Sequence, residues 1–500
     1  MDPILFWNEV ALEADRTTHT TLAPSEVEVQ GPVGSSRALA IVHLAVHDAY
    51  FSINPKPHGT YLANLPVVPP GADADSAVAA AAHATLSALY PAQRAFFDAR
   101  LAAAGLPGGQ PRADGDDFGR AVAAAILALR QNDPSLSGAG YSPSIARMRH
   151  REDPDNPDQG FYAPFYGARS RNFAVNTRHH LEESPQLGSV EYTRALRQVR
   201  SKGIAPQLIG TLPAELLPSR TPTETLIGIF WGYDGAKELG TPPRLYNRIV
   251  RKIADAQAND VTANARLFAL VNAAMGDAGI LAWDDKYFYD VWRPVVGIRE
   301  HDPSTGPTAV GGNVLDPDAD PGWLPLGAQK TNNVDKKNCT PDFPAYPSGH
   351  ATFGAAVFQS VRCFYDKGEY CPDDVVEGLE FVSEELNGVS VDNTGTVRPR
   401  HTRNFPGGLW QMIEENSRSR VFLGVHWEFD GFAVNENGEI DLTQNIGGVR
   451  LGSVSTSPTT SPPTGLRRPP PRAPVCPEPS DPRPPAGMCN STGGHCGPSP

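Results

Sequence analysis

The chain has 500 residues, 40% hydrophobic and 20% charged, with a formal net charge of −13 and a pI near 5.5. That is the composition of a folded, soluble protein large enough for two packing units, and its acidic balance excludes a general nucleic-acid surface, which needs a basic face. The N-terminal MDPILFWNEVALEADR has neither a basic n-region nor a long apolar core, so no classical signal peptide is expected. No run approaches about 18 uninterrupted apolar residues, so no membrane span is expected either.

In chain order, SSRALAIVHLAVHDAYFSI, DADSAVAAAAHATLSALY, PAQRAFFDARLAAAGL and DDFGRAVAAAILALRQND place apolar residues three and four apart, the spacing of one helix face. Several begin at Ser, Asp or Pro and end at Gly or Asn, as helix caps require. Residues 133–186 are polar and rich in Pro and Asn, and read as a long loop. Helical patterns resume at VEYTRALRQVRSKG and continue through TPTETLIGIFWGYDG, RLYNRIVRKIADAQ, ARLFALVNAAMGDAGILAWDDKYFYDVW, ATFGAAVFQSVRCFY, VVEGLEFVSEELNG and GGLWQMIEENSRSRVFLGV. Strand alternation is confined to short pieces. The expected architecture is all-α: a bundle over 1–205, a second over 206–452, and a disordered Pro-rich tail over 453–500.

Three segments carry chemistry. In FPAYPSGHATFGAAVF, Pro344 and Pro347 hold the chain extended, Ser348 is placed to cap the helix that follows, and Gly349 lets a ligand approach the backbone. The first N–H groups of such a helix form an anion site, with His350 at its mouth. In KYFYDVWRP, Lys286 and Arg293 are seven apart and share a face if the helix runs straight, until Pro294 disturbs or ends it. In SRVFLGVHWEFD, Arg420 and His426 are six apart, so both reach one site only if the helix ends or bends near Gly424. Asp430 follows His426 by four residues and can orient its imidazole. Three cations, a serine hydroxyl, a glycine amide and two imidazoles together ask for a multiply charged tetrahedral oxyanion. Each cation about 4 Å from such an anion contributes about 4 kcal/mol at an effective dielectric of 20.

These three motifs, complete and in order, resemble the signature shared by vanadium-dependent haloperoxidases and the type 2 phosphatidic acid phosphatase superfamily. The resemblance to the fungal-type vanadium chloroperoxidases extends over most of residues 4–452, including ILFWNEVALEADRTTHT, WGYDGAKELGTPPRLYN, ARLFALVNAAMGDAGI and SEELNGV. It implies two helical bundles with the metal-oxide site in the second. It implies vanadate held by Lys286, Arg293, Ser348, Gly349 and Arg420, with His426 as ligand to vanadium. His350 is then the acid–base residue acting on hydrogen peroxide, and Lys286 donates a hydrogen bond to the bound peroxide. Asp234 resembles the family's carboxylate partner of the motif arginine. Trp283 and Phe343 match aromatics on the halide side; bromoperoxidase-type relatives carry histidine at the latter position, so chloride as well as bromide is expected to be oxidised, to hypohalous acid that halogenates a small organic acceptor. The runner-up is an acid phosphatase of the same superfamily, with His426 as nucleophile forming a phosphohistidine and His350 as the acid for the leaving group.

Other features carry less. His43 and His47 are four apart beside Asp48, a metal-like spacing without a third ligand, and read as core histidines. DPDADPG at 316–322 has its Gly one place late and no Glu at the twelfth position, which excludes an EF-hand. The six cysteines contain no CxxC pair; Cys363 and Cys371 either bridge locally or stay thiols. Sequons at Asn338 and Asn490 matter only on a secretory route. The sequence assigns no particular organic acceptor, no oligomeric state and no compartment, and leaves export by another route open.

Overall fold

The computed structural model describes residues 1–20, 29, 31–312, 314–366, 373–435, 437, 440 and 444–450. The expected tail at 453–500 lies outside them, as do Cys371 and Asn490.

Fourteen α-helices account for the described architecture: α1 (Pro3–Thr18), α2 (Gly31–Ile53), α3 (Ala74–Leu89), α4 (Arg94–Ala102), α5 (Gln110–Arg130), α6 (Tyr166–Arg169), α7 (Val190–Lys202), α8 (Pro222–Phe230), α9 (Pro242–Ala256), α10 (Val261–Tyr289), α11 (Pro294–Arg299), α12 (Gly349–Phe364), α13 (Gly408–Phe422) and α14 (Glu428–Gly431). Among the described residues the strands are β1 (Asn445–Ile446) and β2 (Val449–Arg450), a short antiparallel pair. The caps follow the sequence. Asp2 accepts from the Ile4 and Leu5 amides at 2.8 and 3.0 Å, and Asp260 accepts from Ala263 at 2.7 Å. Thr221 and Glu224 close a capping box ahead of Pro222.

α10 organises the molecule. It packs against α2, α6 and α12 and is buried on nearly every side. By length and composition it is the one described helix apolar enough to cross a membrane, but 78% of its apolar window is covered by the rest of the protein. One apolar cluster runs from α1–α3 through α9 and α10 to α12 and α13. A second gathers Tyr192 and Leu196 of α7 with Trp292, Val295, Trp323, Tyr346 and Trp427. α7 precedes residue 205, yet it packs on α11, α13 and α14.

The 133–186 segment is loop apart from the four-residue α6, and α10 straps it down. The Asp277 carboxylate accepts from the amides of Phe173, Ala174 and Val175 at 2.5, 2.8 and 2.8 Å. His43 and His47 are core residues: His43 meets Asn8 at 3.0 Å and stacks on Phe268, and His47 meets Asp48 at 2.9 Å. The acidic loop is likewise spent on structure, since the Arg197 guanidinium takes both oxygens of Asp318.

Candidate active site

The first two motif segments pass from one apolar cluster to the other, and the third lies in the smaller one through Val421, Trp427 and Phe429. On the first, Trp283 belongs to the larger cluster and Trp292 to the smaller. The straight helix expected from Lys286 to Arg293 does not form. α10 stops at Tyr289, Asp290 turns left-handed at φ 54°, and Val291 pairs with Arg149 in an isolated bridge. Arg293 then becomes the N-cap of α11, with Pro294 at its first position. A left-handed cap and an X–Pro step defeat helical continuity, so the two cations converge through a turn.

On the second segment Ser348 is the N-cap of α12, its Oγ accepting from the Ala351 amide at 3.4 Å. Because Oγ serves as acceptor there, its O–H stays available to donate. On the third, α13 ends at Phe422 and Gly424 adopts φ 74°, 2.5 Å by its would-be Cβ from the Gly203 carbonyl. A residue with a side chain would be both strained and blocked there. The turn swings His426 back beside Arg420, as the six-residue spacing demanded.

Lys286, Arg293, Ser348, His350, Arg420 and His426 are all buried. Arg293 donates from Nε to Phe343 O and from Nη1 to Val425 O, each at 2.8 Å, and from Nη1 to His426 Nε2 at 2.9 Å. Asp430 Oδ2 faces His426 Nδ1 at 2.8 Å and accepts from the Trp427 amide at 2.9 Å. The carboxylate therefore holds the proton on Nδ1, and the lone pair of Nε2 faces the cations. His350 Nε2 meets the Gly232 carbonyl at 2.8 Å; a carbonyl only accepts, so Nε2 carries the hydrogen and Nδ1 the lone pair. Arg420 Nη2 pairs with Asp234 Oδ1 at 2.8 Å, and His350 Nε2 lies 3.8 Å from the same oxygen. Trp283 and Phe343 stand 4.7 Å apart between ring centres, with Lys286 Nζ 5.1 Å and Arg293 Cζ 4.9 Å from the Phe343 ring.

The electrostatics follow from burial under concentrated positive charge. Burial, then Arg420, pushes His350 down to about 3, and burial, then Arg293, holds His426 well below the usual imidazole value. Both rings are neutral at pH 7. Burial raises Asp430 to about 7 against the pull of Lys286 and Arg293. Burial and then Arg293 press Lys286 well below the ordinary amine value. Its surroundings act the other way. Nζ donates to the carbonyls of Pro344, Ala345 and Pro347 at 2.8, 3.0 and 2.5 Å, and three acceptors need the three N–H groups of an ammonium. This carbonyl cage was not foreseen from sequence, nor was the Gly232 carbonyl beneath His350.

Part of the donor set is left unused by the protein's own acceptors. Arg293 Nη2, Arg420 Nε and Arg420 Nη1 are buried without hydrogen-bond partners. Unsatisfied buried donors cost about 1–3 kcal/mol each, more when charged. Two guanidinium groups aimed around a helix N-terminus fit an oxyanion of vanadate or phosphate shape.

The chain matches the family model "Vanadium chloroperoxidase N-terminal domain" over residues 1–160 and "VCPO second helical-bundle domain" over 266–446. It is 37% identical over 557 aligned positions to vanadium chloroperoxidase from Curvularia inaequalis, covering 93% of this chain and 86% of that one. The chain belongs to the vanadium chloroperoxidase family. Among solved structures it resembles a bacterial vanadium-dependent iodoperoxidase, with a TM-score of 0.57 at 16% identity over 84% of this chain and 91% of that one. An apo bacterial vanadium-dependent chloroperoxidase gives a TM-score of 0.53 at 18% identity over 82% and 91%. At these identities the resemblance speaks for the fold alone. For this vanadium chloroperoxidase family member, the all-helical architecture is thus supported by both sequence and structure.

Proposed function

We propose that this protein is a vanadate-dependent haloperoxidase that oxidises chloride and bromide with hydrogen peroxide to hypohalous acid. The observation that carries the reading is the group of buried, unpartnered guanidinium nitrogens on Arg293 and Arg420. Arg293, Arg420, Ser348, the Gly349 amide and Lys286 would hold the vanadate, and His426 Nε2 would be its protein ligand. Bound V(V) supplies a Lewis acid that polarises the peroxide O–O bond without changing oxidation state.

The protein's own residues do the rest. Asp430 fixes the His426 tautomer that presents a lone pair, in place of the contact now made with Arg293 Nη1. His350, neutral and bearing its lone pair on Nδ1, is the base that takes a proton from hydrogen peroxide and the acid that returns one. Asp234 neutralises one of the three clustered cations and braces Arg420. Lys286 contributes positive charge from its carbonyl cage and would donate a hydrogen bond toward hydrogen peroxide in the site by exchanging one of those carbonyl contacts. Trp283 and Phe343 give an apolar wall that strips water from an approaching halide, which favours chloride competence.

The test is halide oxidation by vanadate-free protein titrated with vanadate, in chloride and in bromide, with phosphate as competitor. The reading expects activity that appears with vanadate and falls with phosphate. Vanadate at 100 times its dissociation constant should also stabilise the fold by about 2.7 kcal/mol. Hydrolysis of a phosphate monoester without halide oxidation would refute it in favour of a phosphatase.

A further inference from the structure

The acid–base residue and the carboxylate beside Arg420 both depend on one short loop. Residues 231–235 supply the Gly232 carbonyl that takes His350 Nε2–H and the Asp234 carboxylate that takes Arg420 Nη2. Between them Tyr233 sits at φ 56°, a left-handed conformation that a tyrosine adopts only when its surroundings impose it.

Three consecutive residues, Ser383 to Glu385, far along the chain from the loop, impose it. Ser383 Oγ donates to the Phe230 carbonyl at 2.7 Å, just before the loop. Glu384 accepts the Tyr233 hydroxyl at 3.1 Å and offers its own amide to the same hydroxyl at 2.9 Å. Glu385 Oε1 accepts the Tyr233 amide at 3.0 Å. The glutamates are themselves anchored. Glu384 pairs with Arg244, and with Arg248 at 2.8 Å. Glu385, fully buried, takes the Thr331 hydroxyl on Oε2 and Arg398 Nη1 at 2.6 Å on the same oxygen. A buried carboxylate is costly unless every lone pair is used, and here the expenditure is aimed at one backbone N–H of an active-site loop.

We infer that Ser383, Glu384 and Glu385 form a strap whose function is to hold the 231–235 loop, so that Glu385 above all is a positioning residue for His350 and Arg420. This rests on the reading of His350 as the acid–base residue. The strap fixes which His350 nitrogen carries hydrogen, by presenting the Gly232 carbonyl to Nε2, and it fixes Asp234 against Arg420.

The test uses the full chain, vanadate-free, with 15N-labelled histidine and a His350→Gln variant to assign the His350 signals. Wild type should show His350 as a single Nε2–H tautomer at pH 7. Glu385→Ala should give a mixture of tautomers and, after vanadate loading, a kcat lower on the order of tenfold to a hundredfold, as expected for small displacements of a catalytic group. Glu385→Gln keeps an acceptor for the Tyr233 amide while losing the Arg398 pair. It should melt at lower temperature yet retain the single tautomer and most of kcat. Tyr233→Phe, which removes only the hydroxyl contact, covers the case in which Glu385→Ala does not fold, and should lower kcat about fivefold. A folded Glu385→Ala with a single tautomer and unchanged kcat overturns the proposal, as does Glu385→Gln losing kcat as far as Glu385→Ala with its tautomer intact. A wild type without vanadate-dependent halide oxidation would defeat the functional reading instead, while the imidazole signals still report on the strap.

Discussion

Replacing Arg420 with alanine tests the electrostatic argument directly. The side chain is 1% exposed, so its charge is little screened by solvent. At about 4 Å and an effective dielectric of 20, its attraction for a bound oxyanion is about 4 kcal/mol, or roughly a thousandfold in affinity. The loss should not be smaller than this, because Asp234, 2.8 Å from Arg420 Nη2, would be left unpaired and repelling the anion. Adding Asp234→Asn to Arg420→Ala should therefore recover about tenfold of the affinity. The assay is vanadate titration followed by thermal shift and by recovery of bromide oxidation, for wild type and both variants. A folded Arg420→Ala that loses less than tenfold in affinity would refute the reasoning. So would a double variant that binds more weakly than Arg420→Ala alone.

Other predictions bear on separate parts of the molecule. Phe343→His should lower the chloride-to-bromide activity ratio, because it puts a polar ring where Phe343 now packs on Trp283; steady-state rates with the two halides check it. Gly354→Ala should destabilise the fold by about 1–3 kcal/mol and reduce kcat, since its Cβ would fall 2.2 Å from Asn416 Nδ2, which donates to the His350 carbonyl; denaturant melts and kcat measurements test both. His43 is held down to about 3 by burial, against an unfolded value near 6.5. The unfolded chain takes up this proton first, so the stability is fully present above pH 6.5 and is lost as pH falls toward 3. His43→Gln should remove about 1.4 kcal/mol per pH unit from the acid-side slope of unfolding free energy, read by denaturant melts between pH 4 and 6.

The family resemblance fixed the expected roles, but the physics of the motifs was legible before it. Ser348 before Gly349 announced a capped helix N-terminus because hydroxyl capping is a local interaction, complete within four residues. The bend at Gly424 followed from arithmetic alone: residues six apart on a helix face different ways, and only a turn brings His426 back beside Arg420. Asp430 four residues beyond His426 was likewise within local reach.

What local reasoning got wrong or could not reach depended on partners distant in the chain. The helix through Lys286 stops at Asp290 because residues 148–150 pair with 290–292, and nothing in KYFYDVWRP records that strand-like neighbour. The carbonyl cage of Lys286 needs the path of Pro344–Pro347, and the tautomer of His350 needs a carbonyl 118 residues earlier. Glu385 stood in SEELNGV as one of two adjacent glutamates, and only folding set it under the Tyr233 amide. Residue types and their spacing along one segment thus determined which chemistry this protein could hold. Which atoms point at one another was decided by the tertiary structure, because hydrogen bonds reach about 3 Å and the chain must close loops of 58 residues (Lys286 to Pro344) to 152 residues (Tyr233 to Glu385) to make them.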